Sequence, residues 1–121
     1  RFRDEHAGTI RGYVYADNGN NIGFLNQGGS WAFRTDRSDS SCTLYSQHFY
    51  TDTNATYDLG SSTYRWRNVY TSDLDLSNEA KGGNDVDGTW GSYTIQEGQE
   101  SLFLLNRRNG KKYKFNLTEV S

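Results

Sequence analysis

Short runs of alternating apolar and polar residues, broken by Gly, Asn and Asp, repeat along this chain. "TIRGYVYA" alternates and stops at "DNGNN"; "IGFLN", "QGGS" and "WAFRTD" follow. A period of two marks strands, and Asn/Gly clusters mark tight turns. The stretch from about Thr9 to Asp36 therefore predicts a three-stranded meander carrying Tyr13, Tyr15, Phe24, Trp31 and Phe33. A further strand is predicted in "TLYSQHFYT", ending near Thr51. "DTNATYDLGSS" is rich in turn formers, and "NVYTSDLDLS" reads as the next strand. In that strand Tyr70, Ser72, Leu74 and Leu76 face one way; Val69, Thr71, Asp73 and Asp75 face the other.

The last third is the most regular. "NEAKGGNDVDGT" is a polar loop, "WGSYTIQEG" a strand, and "SLFLLNRRNGKKYKFNLTEV" a hairpin about Asn109-Gly110. A two-residue type I′ turn there needs positive φ at both residues. It sets Asn106 against Tyr113, Leu104 against Phe115 and Leu102 against Leu117. These six share one face; Phe103, Leu105, Arg107, Lys112, Lys114 and Asn116 share the other. Two apolar residues on a basic face predict that a partner chain covers it. "SNEAKGG" is the nearest approach to a helix pattern and is barely two turns long. The fold class expected is all-β, built of short antiparallel strands and hairpins. Three regions are expected, compatible with one domain: a meander region 1–56, a connecting segment 57–80 and a hairpin tip 81–121.

Composition changes this picture in one respect. The chain has 121 residues, of which 33% are hydrophobic and 15% aromatic, with a mean hydropathy of −0.92. Few aliphatics with many aromatics and no Pro describe an ordered β structure whose core neighbouring chains complete. The net charge of −2 argues against general nucleic-acid binding. No apolar run approaches the roughly 20 residues of a helical membrane span, so no membrane insertion is expected. The chain starts at Arg1 and contains no Met, which reads as a fragment or cleavage product. Cys42 is the sole cysteine and is expected to be a small, half-buried filler.

Candidate chemistry is sparse. Asp17, Asp36, Asp39, Asp52, Asp58, Asp85 and Asp87 sit in turn sequences, where Asp bonds its own backbone. "GGNDVDG" has a faint calcium-loop look, but lacks the first acidic ligand and has Thr94 where the bidentate Glu belongs. His6 and His48 are too few for a metal cluster, and no nucleophile motif or phosphate loop is present. No enzyme activity, metal or cofactor is expected. Trp31, Trp66, Trp90 and nine Tyr offer flat faces that suit sugar rings as well as subunit contacts.

Three stretches carry a resemblance. "YDLGSSTYRWRNVYTSDLDLSNE" resembles a segment near the C-terminal ends of tailed-bacteriophage tail fibres and spikes. "IGFLNQGGSWAFRTD" resembles a stretch found before it, and "GNDVDGTWGSYTIQEGQESLFLLNRRNGKKYKFNLTEV" their closing segment. Such ends are homotrimers with intertwined or side-by-side strands, joined to upstream fibre or other tail proteins. The resemblance implies a virion tail-fibre location, facing outward, and attachment to a host cell-surface glycan or protein. Alternatives are a purely structural trimerisation or folding domain, or an inert fragment of a polysaccharide-degrading spike. Some family members end in a self-cleaving chaperone with a Ser-Asp pair; here "SDLDLSN" lacks the basic and helical segments after it. The assembly residues expected are Arg65, Trp66, Arg67, Phe103 and Leu105, with Arg65 and Arg67 pairing Asp58, Asp73 or Asp75. The receptor-binding residues expected are Trp90, Tyr93, Arg107, Arg108, Lys111 and Lys112.

Overall fold

The computed structural model describes residues 2–3 and 8–121, and His6 lies outside them. Among the described residues there is no helix, and all regular structure is antiparallel β. The chain divides into two compact units, Arg1–Tyr50 and Thr51–Ser121.

The first unit is a five-stranded sheet in sequence order: β1 (Phe2–Arg3), β2 (Ile10–Ala16), β3 (Asn21–Leu25), β4 (Trp31–Asp36) and β5 (Ser41–Leu44). Asx side chains hold its turns, as the polar punctuation predicts. Asp17 Oδ1 accepts from the amides of Gly19 (2.8 Å) and Asn21 (3.1 Å), with Asn20 left-handed at φ 66°. Asn26 Oδ1 accepts from Ser30 N at 3.1 Å. Asp36 Oδ1 accepts from Ser38 N at 2.8 Å. The Asp17 and Asp36 carboxyls lie below the ordinary range, chiefly because the side chains of Asn21 and Ser38 respectively also donate to them, and then through the amides of the same residues.

Cross-strand partners define the two faces. Val14 pairs with Phe24, Phe24 with Phe33, and Phe33 with Leu44. Ala16, Ile22, Thr35 and Cys42 form the neighbouring row on the same face. On this face Val14, Ile22, Phe24 and Leu44 are all exposed. Cys42 is exposed with them rather than half-buried, because the layer it would fill against is missing. On the other side Gly23 lies under β4. A Cβ built there would stand 2.0 Å from the Phe33 carbonyl oxygen, so only glycine lets the two backbones approach so closely.

The strand expected through "TLYSQHFYT" ends early. β5 stops at Leu44, and Ser46 turns left-handed at φ 53°. From Ser46 to Asp73 no strand forms, and the chain is exposed throughout. The strand expected over "NVYTSDLDLS" shortens likewise to its last four residues, because Asn68–Asp73 meets no partner strand.

The second unit is a four-stranded sheet, again in sequence order: β6 (Leu74–Ser77), β7 (Ser92–Glu97), β8 (Leu102–Asn106) and β9 (Lys112–Lys114). Leu74 pairs with Ile95 and Leu76 with Tyr93; Ile95 pairs with Leu104, and Leu104 with Tyr113. This apolar face is also uncovered, with Leu76 49% exposed. Among the described residues no hydrophobic side chain of either unit is buried, while Thr94 on the opposite face of β7 is buried completely.

The terminal hairpin corrects the predicted register. Leu105 pairs with Lys112, Leu104 with Tyr113 and Phe103 with Lys114, two residues away from the pairing a two-residue turn would set. The loop has four residues, closed by the bond from Asn106 N to Lys111 O at 2.9 Å. Its cause is the Asn106 side chain, whose Oδ1 accepts from Arg108 N (2.9 Å) and Asn109 N (3.3 Å). Only Gly110 is left-handed (φ 75°); Asn109 is not, so the turn is not type I′. A slip of two residues preserves the faces, so Phe103 and Leu105 share the basic face as predicted.

Candidate functional site

The loop between β6 and β7 is built by one residue, Asn84. Its Oδ1 accepts from Val86 N (2.8 Å) and Asp87 N (2.9 Å), while its Nδ2 donates to Asp87 Oδ1 (2.8 Å) and Thr89 O (2.8 Å). Asp87 Oδ1 takes two further donors, Thr89 N at 3.0 Å and Thr89 Oγ1 at 2.8 Å. Three donors on one oxygen favour the anion, so the Asp87 carboxyl falls to about 2, led by the Thr89 amide and then the Asn84 side chain. Asn78 ties the loop to the sheet, its Oδ1 accepting from Gly91 N at 2.8 Å. Gly83, at φ 118°, closes the loop where a Cβ would stand 2.3 Å from Gly88 O.

Between this loop and the end of the sheet lies a cleft of about 590 Å³. It is lined by Leu76, Asn78, Asn84, Asp87, Trp90 and Tyr93 among others. Trp90 is fixed from outside it. The Arg108 guanidinium stacks 3.7 Å from the indole centroid, and its Nη1 donates to Trp90 O at 2.9 Å. The Tyr93 hydroxyl accepts from Asn106 Nδ2 at 3.2 Å.

Of the receptor residues expected from sequence, Trp90, Tyr93 and Arg108 come together here. The other three do not join them. Arg107 lies on the opposite face of the sheet, where its Nε donates to Thr94 Oγ1 at 2.8 Å. Thr94 Oγ1 in turn donates to Asp75 Oδ1. Lys112 projects on that same face, opposite Leu105. Lys111 closes the hairpin loop, its amide bonded to Asn109 Oδ1 at 2.9 Å. The four-cation tip of the sequence is thus divided between two faces and a loop end.

The expected assembly residues fall into two groups. Phe103 and Leu105 line a depression of about 420 Å³ with Gln96, Lys112 and Lys114. Trp66 is 63% exposed, above the Gly60 turn. Among the described residues no ion pair joins Arg65 or Arg67 to Asp58, Asp73 or Asp75 within the chain; Asp73 instead accepts from Gln96 Nε2 at 2.8 Å.

Sequence reasoning did not single out Asn84, Thr89 or Asn78. The available signal was the Asn-x-x-Asp-x-Thr spacing, in which each side chain can bond the backbone two residues on. Among the described residues no group of three or more His, Cys, Asp or Glu is placed to hold a metal ion, and His48 is exposed. Compared with protein-family models, curated proteins and solved structures, the chain matches none.

Proposed function

We propose that this chain is a non-enzymatic distal piece of a tailed-phage fibre, which trimerises and attaches the particle to a host cell surface. One observation carries the assembly half. Two well-ordered sheets each leave a complete apolar face bare, and no described hydrophobic side chain is buried. Burying such faces is worth about 25 cal/mol per Å², which favours their being covered by other chains. The exposed Tyr64, Trp66 and Tyr70 of the irregular segment add aromatic surface of the kind enriched in subunit contacts. The attachment half rests on the order of the three resembling stretches and on the aromatic cleft at the end of the second sheet.

The test is the mass in solution together with adsorption to bacterial cells. A mass of three 13.8 kDa chains and cell binding are expected. A folded monomer at micromolar concentration overturns the assembly, and a trimer that adsorbs to no bacterium leaves only a structural role.

A further inference from the structure

We infer that the cleft between the Asn84–Thr89 loop and the end of the second sheet binds an uncharged pyranose of a surface polysaccharide. The inference rests on the attachment reading above and narrows it to one site and one class of ligand.

The lining decides the class. It offers two aromatic rings, Trp90 and Tyr93, one carboxylate, Asp87, and the amide of Asn78 and hydroxyl of Thr89, while the Asn84 amide is spent within the loop. Neither Lys nor Arg lines it, so an acidic sugar would meet the Asp87 charge without a counter-charge. A pyranose presents a flat C–H surface for a ring and hydroxyls that donate to a carboxylate. Its volume lies within the roughly 300–1,000 Å³ of small-ligand clefts.

The carboxylate is arranged for this use. Among the described residues three donors meet this carboxylate on Oδ1: Asn84 Nδ2, Thr89 N and Thr89 Oγ1. Among the described residues none of these donors bonds Oδ2. One oxygen therefore holds the loop and the other remains as an acceptor of fixed position. Trp90 is immobilised in the same sense: Arg108 stacks on its ring and bonds its carbonyl, yet does not itself line the cleft. A ring fixed before binding loses little rotamer freedom when the ligand arrives. Leu76 and Tyr93, the strand residues nearest the loop, form the floor of the cleft; Asp87, Thr89 and Trp90 form its rim beyond Ser77, where β6 ends, and the ligand enters from that side.

The assembled protein is tested on an array of purified bacterial surface polysaccharides, neutral and acidic. Binding to polymers of uncharged hexopyranoses is expected, with little dependence on salt. Asp87→Asn keeps an Oδ1 for the three loop donors and changes only the free oxygen, so the loop stays folded. It is expected to weaken binding about tenfold or more, the loss of one charge-assisted hydrogen bond. Asp85→Asn, one acid of the same loop outside the cleft lining, is expected to change nothing. Trp90→Ala is expected to abolish binding while the assembly persists. Binding confined to acidic polymers, or unchanged by Asp87→Asn, overturns the cleft and leaves the attachment reading standing. An assembled protein that binds no polymer and no bacterial cell overturns both.

Discussion

In the first unit, the face opposite the bare apolar one is held by rings and a guanidinium. Tyr15 meets Trp31 at 5.8 Å between centroids, and Arg34 lies 6.0 Å from the Trp31 ring and 5.4 Å from Tyr45. In the second unit, the corresponding face is held by hydrogen bonds that run across the strands. Asp75, Thr94 and Arg107 form a chain over β6, β7 and the end of β8, and Asp73 and Gln96 form a second link. Ring contacts are each worth about 0.5–1.5 kcal/mol and tolerate sliding. A connected polar network is directional, and a register slip breaks all of it at once. The second sheet is therefore specified on both faces, whereas the first depends more on whatever covers Val14, Phe24 and Leu44.

The largest effect should come from charging the bare faces. Leu104→Asp removes an apolar side chain worth about 1.5–3 kcal/mol per chain when covered, and adds the penalty of a buried charge. Sedimentation should show loss of the trimer, with the dispersed amide spectrum of β6–β9 retained. Phe24→Asp should disrupt assembly too, and in addition broaden the resonances of β2–β5. The reverse pattern would invert the comparison, and an unaltered trimer in both would remove these faces from the interface.

Trp66→Ala comes next. A Trp buried in an assembly costs about 3–5 kcal/mol when truncated, whereas one exposed as in the single chain costs little. A lowered melting temperature for the trimer is expected; an unchanged one with lost cell binding would move Trp66 to the receptor site. Gly23→Ala should follow, at about 1–3 kcal/mol, because its Cβ must push β4 away from β3. The strands of the second sheet contain no glycine, and an unchanged melting temperature for Gly23→Ala would show that β3 and β4 are not so close in solution.

How much of this was legible in the sequence depends on what the pattern encodes. Alternation records which face a residue occupies, and it placed Leu74 and Leu76 together and Phe103 with Leu105 correctly. It does not record whether a partner strand exists. Residues 46–51 and 68–73 carry the strand-favouring Phe49, Tyr50, Val69 and Tyr70, yet among the described residues they join no sheet. Nor does it fix register where a side chain can act as a turn acceptor. Asn109-Gly110 looked like the turn centre, but Asn106 captured two amides and moved the pairing by two residues. The candidate site was half visible. Trp90 and Tyr93 stand out as aromatics, but the role of Asp87 appears only once Asn84 has folded the loop around it.

That corrected turn gives a sharper test at smaller cost. Gly110→Val should destabilise by about 1–2 kcal/mol, the cost of a left-handed branched residue. Asn109→Ala should cost less, about 0.5–1 kcal/mol, because its backbone is not left-handed and only the bond from Lys111 N to its Oδ1 is lost. Equal losses in thermal denaturation would restore the two-residue turn.

The smallest effect is acidic and local. The Asp87 carboxyl titrates at about 2 when folded, against about 3.9 in an unfolded chain. Because the folded value is the lower, its contribution is complete above about pH 4 and disappears as pH falls toward 2. The amides of Asp87 and Thr89 should shift together in that window in an NMR titration. A midpoint near 4 would mean that the three-donor arrangement on Oδ1 is not maintained in solution.

The order of strands has a consequence in time. In both sheets every hydrogen-bonded neighbour is also the neighbour in sequence, so no pairing waits for a distant part of the chain. Sheets of such local topology form rapidly, within the range where helical and small mixed domains fold rather than that of interleaved barrels. Each newly made chain therefore reaches its sheets before it meets another copy. In the trimer proposed above, the slow step would then be the meeting of chains, with a rate that rises with their local concentration. Holding three upstream ends together in one stalk would accelerate that step by effective concentration alone, without a single added contact.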